Sequence, residues 1–143
     1  MELIRNFKTS NDLFLFLEEK ISILENKDLE DKLQELRKDG VDIIPKNLEI
    51  FNLEKRNREY QTQYLDTLEL EERILLLTLF YIGDEIDRNN EEYKNEFYSL
   101  YEFYFTQYKS QSEFLNRQMT GKTDFIKNLY NAKEKYEDAF ILR

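Results

Sequence analysis

Apolar side chains recur along this chain mostly at intervals of three and four residues, the spacing that puts them on one face of an α-helix. Leu13, Phe16, Leu17, Ile21 and Leu24 form the first such stripe, and Ser10 stands where a helix cap is expected. Asn26 and Lys27 mark a turn, after which Asp28 is placed to cap a second helix carrying Leu29, Leu33 and Leu36, with Gly40 as its stop. Pro45 suits the first turn of a third helix, for which Leu48 and Phe51 are the expected inward residues. The pattern then weakens over residues 54–63, which reads as an exposed helix or a helix broken near Asn57.

Asp66 with Glu69 resembles a capping box opening a fourth helix that runs to about Ile86. Its middle, residues 74–82, is apolar nearly all round, the mark of a helix enclosed by others. Gly83 inside that pattern suggests a close approach to a neighbour. Asn89 or Asn90 caps a fifth, long helix with the stripe Tyr93, Phe97, Tyr101, Tyr104, Tyr108, Leu115 and Met119, ended by Gly121. Thr123 caps a last helix with Phe125, Leu129, Tyr136 and Phe140. The expected fold is all-α, an antiparallel bundle of five or six helices in a single domain over residues 1–143. Leu75, Leu76, Leu79, Phe97, Tyr101 and Tyr104 are its expected core.

Composition supports this reading. Three glycines and one proline in 143 residues are too few for the turns of an all-β fold. An apolar fraction of 41% is enough for a packed core. The most apolar stretch, Ile74 to Ile82, is nine residues interrupted by Thr78, well short of the roughly twenty needed to cross a bilayer, so no membrane span is expected. The opening Met-Glu-Leu-Ile-Arg-Asn-Phe-Lys has no long apolar region behind a basic start, so a cytoplasmic location is the expectation.

The absent residue types narrow the chemistry. With no Cys there is no disulfide, thiolate nucleophile or thiolate zinc ligand. With no His, the Ser-His-Asp triad and every His-bearing metal site are excluded. Paired carboxylates such as Glu92 and Glu96 lie one turn apart, which is routine on exposed helix faces. No catalytic residue, metal or cofactor is expected.

Two local motifs fall short of their templates. Thr120-Gly121-Lys122-Thr123 looks like the end of a phosphate-binding loop, but the loop needs a Gly at position 116, where Asn116 stands, and a strand before it. Residues 85–96 place Glu85, Asp87, Asn89, Glu91 and Glu96 at the ligand positions of a twelve-residue calcium loop. There, however, Glu stands first where Asp is usual, and Asn90 replaces the Gly of the sharp turn.

Charge supplies the remaining signal. The chain carries a net charge of -9, and residues 66–96 hold ten carboxylates against three basic side chains, a local net of -7. The compact basic cluster Lys55, Arg56 and Arg58 is diluted by Glu54 and Glu59, so direct nucleic-acid binding is not expected. Tyr98 and Phe105 extend one edge of the fifth helix's aromatic arc, while Phe103 and Phe114 lie outside it. A surface dense in acids and tyrosines suits a contact with a basic protein. The expected contact residues are Asp84, Glu85, Asp87, Glu91, Glu92, Tyr93 and Tyr98. The function class that fits is a non-catalytic inhibitor or immunity-type protein blocking a basic toxin or nuclease. The alternative is a helical nucleic-acid mimic or scaffold in phage defence or a nucleoprotein complex, which would space its acids along an extended face.

Overall fold

In a computed structural model, residues 7, 9–38, 44–84, 90–121 and 124–141 are described, with the side chains of 10, 44–47, 90–96 and 137–141 set aside. Seven helices make up these residues: α1 (Ser10–Leu24), α2 (Lys27–Lys38), α3 (Ile44–Asp66), α4 (Leu70–Asp84), α5 (Asn90–Tyr108), α6 (Ser112–Thr120) and α7 (Phe125–Ile141). No strand occurs among them. The all-α class holds, and the described residues form seven helices where five or six were expected. The expected long fifth helix is two helices, α5 and α6, separated at residues 109–111. Gln111 N–H donates to the Tyr108 carbonyl, an i to i−3 bond that tightens and ends α5. The stripe from Tyr108 to Leu115 and Met119 keeps helical phase across this break, which is why spacing does not reveal it.

The helix starts are capped by side chains close to those expected. Thr9, one residue before Ser10, caps α1 through a reciprocal box with Asp12: the Asp12 N–H donates to Thr9 Oγ1 at 3.3 Å and the Thr9 N–H to Asp12 Oδ2 at 3.0 Å. Asn26, not Asp28, takes the Leu29 N–H on its Oδ1 at the start of α2. The box expected at Asp66 is displaced by one turn. Asp66 ends α3, and the Glu69 N–H donates to Glu72 Oε1 at 3.4 Å to open α4.

α4 is the axis of the fold and packs against α5, α6 and α7, while α7 also packs along α1. From Ile74 to Gly83 every α4 residue except Tyr81 is buried. The Thr78 hydroxyl in that run donates to the Ile74 carbonyl at 2.8 Å, so its burial leaves no unmatched donor. The main core joins this run to Leu17 and Leu24 of α1, Phe97 and Tyr101 of α5, Leu115 and Met119 of α6, and Phe125 and Leu129 of α7. All five expected α1 residues are buried, and so is the expected core apart from Tyr104, which is half-buried against it. At Gly83 an added Cβ would lie 1.8 Å from the Asn128 carbonyl oxygen, so the glycine is what lets α4 touch the α7 backbone.

A second, smaller core of Leu33, Ile50 and Leu53 ties α2 to α3. Here the expected face of α3 is wrong. Leu48 and Phe51 are 60% and 56% exposed. The inward stripe is Ile50, Leu53, Asn57, Gln61 and Leu65, whose polar members disguise it. α3 is helical through residues 54–63, without a break at Asn57.

Polar bonds lock the helices in register. Asn116 on α6 donates through Nδ2 to Asp66 Oδ1 and accepts from Arg73 Nη1 at 3.5 Å, and the Thr120 hydroxyl donates to the Asn116 carbonyl at 3.0 Å. Lys20 is buried between α1 and α4, its Nζ 3.0 Å from Glu72 Oε2 and over the Phe16 ring. Burial pulls the Lys20 ammonium down, but its bond to Glu72 and the charges of Tyr64, Glu72 and Glu19 outweigh that and hold it above its usual value.

Candidate functional site

Most of the expected acidic contact lies outside what the structure describes. Glu85 and Asp87 fall among the residues not described. Glu91, Glu92 and Tyr93 lie on the described backbone of α5, but their side chains are set aside. The calcium-loop reading of 85–96 therefore goes untested at its ligands, although its second half is helix from Asn90 onward. Among the described residues no group of three or more carboxylates is arranged to hold a metal ion.

Two expected contact residues are described. Asp84 is exposed at the end of α4, and its Oδ1 accepts from Asn128 Nδ2 at 3.3 Å, fixing the carboxylate to α7. Tyr98 is 50% exposed, and its hydroxyl donates to the Phe7 carbonyl at 3.0 Å. Its ring is thus held at the surface by the segment that precedes α1, and packs edge-on against Phe97.

α5 turns Phe97, Tyr101 and Tyr108 inward and keeps one flank in solvent. That flank is the stripe Ser99, Glu102, Phe103, Thr106 and Gln107, a shallow groove along one side of the helix. Phe103 is its one large apolar group, 60% exposed. Phe114, early in α6, is also exposed, with exposed Glu113 beside it in sequence. The expectation that Phe103 and Phe114 fall outside the aromatic arc agrees with these positions.

Sequence spacing missed a second feature. A cleft of about 490 Å³ opens between α2, α3 and the corner joining α6 to α7. Leu33, Phe125 and Ile126 supply its apolar wall, and Asn57 and Gln61 reach it from the inward stripe of α3. One lip carries Glu25 and Glu30, and the Tyr130 hydroxyl donates to Glu25 Oε2 at 2.7 Å. The opposite lip is closed by Arg37 and Glu54, paired at 2.6 Å between α2 and α3. Thr120 and Gly121 line the cleft as well, so half of the phosphate-loop lookalike faces it, though Thr120 is the last residue of a helix and no strand leads to it. The signal that would have found the cleft is the spacing of Asn57 and Gln61 between Leu53 and Leu65.

The electrostatics of the lip are lopsided. Burial first, then the charges of Glu25 and Asp31, push the Glu30 carboxyl above its usual range against the opposing pull of Arg37. The bond to Glu25 first, then burial, pushes the Tyr130 hydroxyl up to about 12. At both groups burial and neighbouring carboxylates outweigh the pull of Arg37, which acts on Glu30. No described helix is long and apolar enough to cross a membrane. A scan of protein-family models, a search of curated proteins and a search of solved structures each returned no match for this chain.

Proposed function

We propose that the chain is a non-catalytic binding protein of the inhibitor or immunity type, acting in the cytoplasm on a protein with a basic surface. The observation that carries this reading is the division of labour on α5. The helix has enough inward aromatics to pack its core face, yet it also holds Tyr98 and Phe103 half or more in solvent, beside Glu102. Exposed rings interspersed with carboxylates combine the two ingredients of a tight polar interface: hot-spot area from the rings and long-range attraction from the acids. The acid-rich stretch 66–96 leads directly into this helix. Blocking a basic active site needs shape and charge, not chemistry, which agrees with a chain that has neither His nor Cys.

The test is association kinetics with the basic partner, followed by stopped flow over a salt series. Reversing Asp84, Glu85 and Asp87 to Lys is expected to slow association and flatten its salt dependence. Tyr98→Ala and Phe103→Ala are expected mainly to speed dissociation. Phe103→Ala is the cleaner of the two, because Tyr98→Ala also frees the Phe7 carbonyl. An association rate indifferent to both salt and charge reversal would sink the reading and leave the acids as a solubilising surface.

A further inference from the structure

The cleft between α2, α3 and α7 holds acceptor capacity that the protein itself does not use. Gln61 is only 4% exposed, and its side-chain amide lines the cleft. Asn57, one turn earlier on α3, has its Oδ1 buried with no donor. A buried acceptor left unmatched costs roughly 1–3 kcal/mol, and folded proteins leave few of them. These two amides face the same cleft as the carboxylates of Glu25 and Glu30. The Arg37 guanidinium on the far lip is paired with Glu54 and only partly offsets the negative charge at Glu30. Arg58 and Lys127, the other cations of the cleft, are exposed to water, where their charge is strongly screened, whereas Glu25 and Glu30 are partly buried. Beside Glu25 and Glu30 the cleft therefore has room for a further positively charged group with several N–H donors. Its apolar wall of Leu33, Phe125 and Ile126, with the Tyr130 ring at the lip, has room for a carbon stem.

We propose that this cleft binds an organic cation, an ammonium or guanidinium group on an apolar stem, with its N–H groups donated to Glu25, Glu30 and the Asn57 carbonyl oxygen and its stem lying against Phe125 and Tyr130. The site uses none of the residues of the α5 surface and stands or falls without it. The overall charge of -9 draws cations towards the protein, and the cleft selects among them by its depth and its amides. Such a group arrives either on a free amine or as the side chain of a lysine or arginine of another protein. The chemistry at the cleft is the same in both cases.

The test is calorimetric titration of the full chain with agmatine, with putrescine, with a blocked Gly-Arg-Gly tripeptide, and with inorganic phosphate as the anionic control. Saturable binding of one agmatine or putrescine per chain is expected, without binding of phosphate. Glu25→Gln with Glu30→Gln should weaken it by about tenfold or more, equivalent to about 1.4 kcal/mol. Asn57→Leu should weaken it as well, whereas Glu18→Gln with Glu19→Gln, on the exposed side of α1, should leave it unchanged. Tighter binding of the free amines assigns a small metabolite, and tighter binding of the tripeptide assigns a protein side chain. Glu30→Gln removes a carboxylate that burial already disfavours, so this variant is expected to fold, which circular dichroism checks. No saturable binding at millimolar amine, equal affinity in the Glu25/Glu30 double variant, or tighter binding of phosphate than of the amines would each overturn the proposal.

Discussion

Tyr101 is the bulkiest of the fully buried side chains, and its hydroxyl has no hydrogen-bond partner. Burial first, then the charge of Glu71, pushes that hydroxyl from its usual 10.0 up to about 12. In the unfolded chain the same group loses its proton near 10, so between about pH 10 and 12 the unfolded state binds fewer protons than the native state. Stability is intact below pH 10 and falls as pH rises through this window, by up to about 1.4 kcal/mol per pH unit for one group. Lys20, also raised above its usual value, loses its contribution in the same alkaline direction. Tyr101→Phe removes a buried oxygen that bonds to nothing, so the variant is expected to be at least as stable as the parent at neutral pH and to lose less on the alkaline side. Urea unfolding of both proteins on either side of pH 10 measures this. A loss of more than about 1 kcal/mol at neutral pH would mean that the hydroxyl has a partner after all.

Among the elements, α4 bears most of the packing and shows best where tolerance ends. Leu76, fully buried at its centre, is expected to cost about 2–5 kcal/mol when cut to Ala. Phe51→Ala and Leu48→Ala, on the outer side of α3, are expected to stay within about 0.5 kcal/mol of the parent. Thermal or urea unfolding of the three variants separates the outer face of α3 from the core of α4. Equal losses at Leu48 and at Leu76 would restore the face that sequence spacing favours. Gly83→Ala adds a single methyl, but one that would sit on the Asn128 carbonyl, so α4 and α7 must part. A loss of about 3 kcal/mol is expected, large for so small a change. Retention of full stability by Gly83→Ala would show that the two helices are not in backbone contact.

For the whole molecule the dominant quantity is charge. A net -9 spread over one surface makes the folded state repel itself, and added salt relieves that by screening. Sodium and calcium chlorides at matched ionic strength are therefore expected to shift the melting temperature equally, with no further effect of a chelator. A rise of several degrees specific to calcium would instead mean ion binding in residues 85–96, through the mass-action stabilisation that any native-state ligand provides.

The sequence by itself determined which segments are helical and which face of most of them is buried. Period and composition act locally: α1 shows all five of its inward residues, and α4 shows its enclosure in a nine-residue stretch with Thr78 as its one polar member, whatever packs around it. The spacing also exposed the special place of Gly83, because a glycine inside a strong helix former pattern needs a packing reason. Tertiary structure decided the rest. The break at residues 109–111 is invisible to spacing because α5 and α6 keep one phase, and tertiary contacts such as the bond of Asn116 to Asp66 set where α6 points. The inner face of α3 runs through Asn57 and Gln61, polar residues that a hydrophobic period assigns to solvent. Gln61 is buried and Asn57 partly buried because α2 and α6 pack against α3 beside a cleft, and a cleft is a property of several helices together that none of them encodes alone.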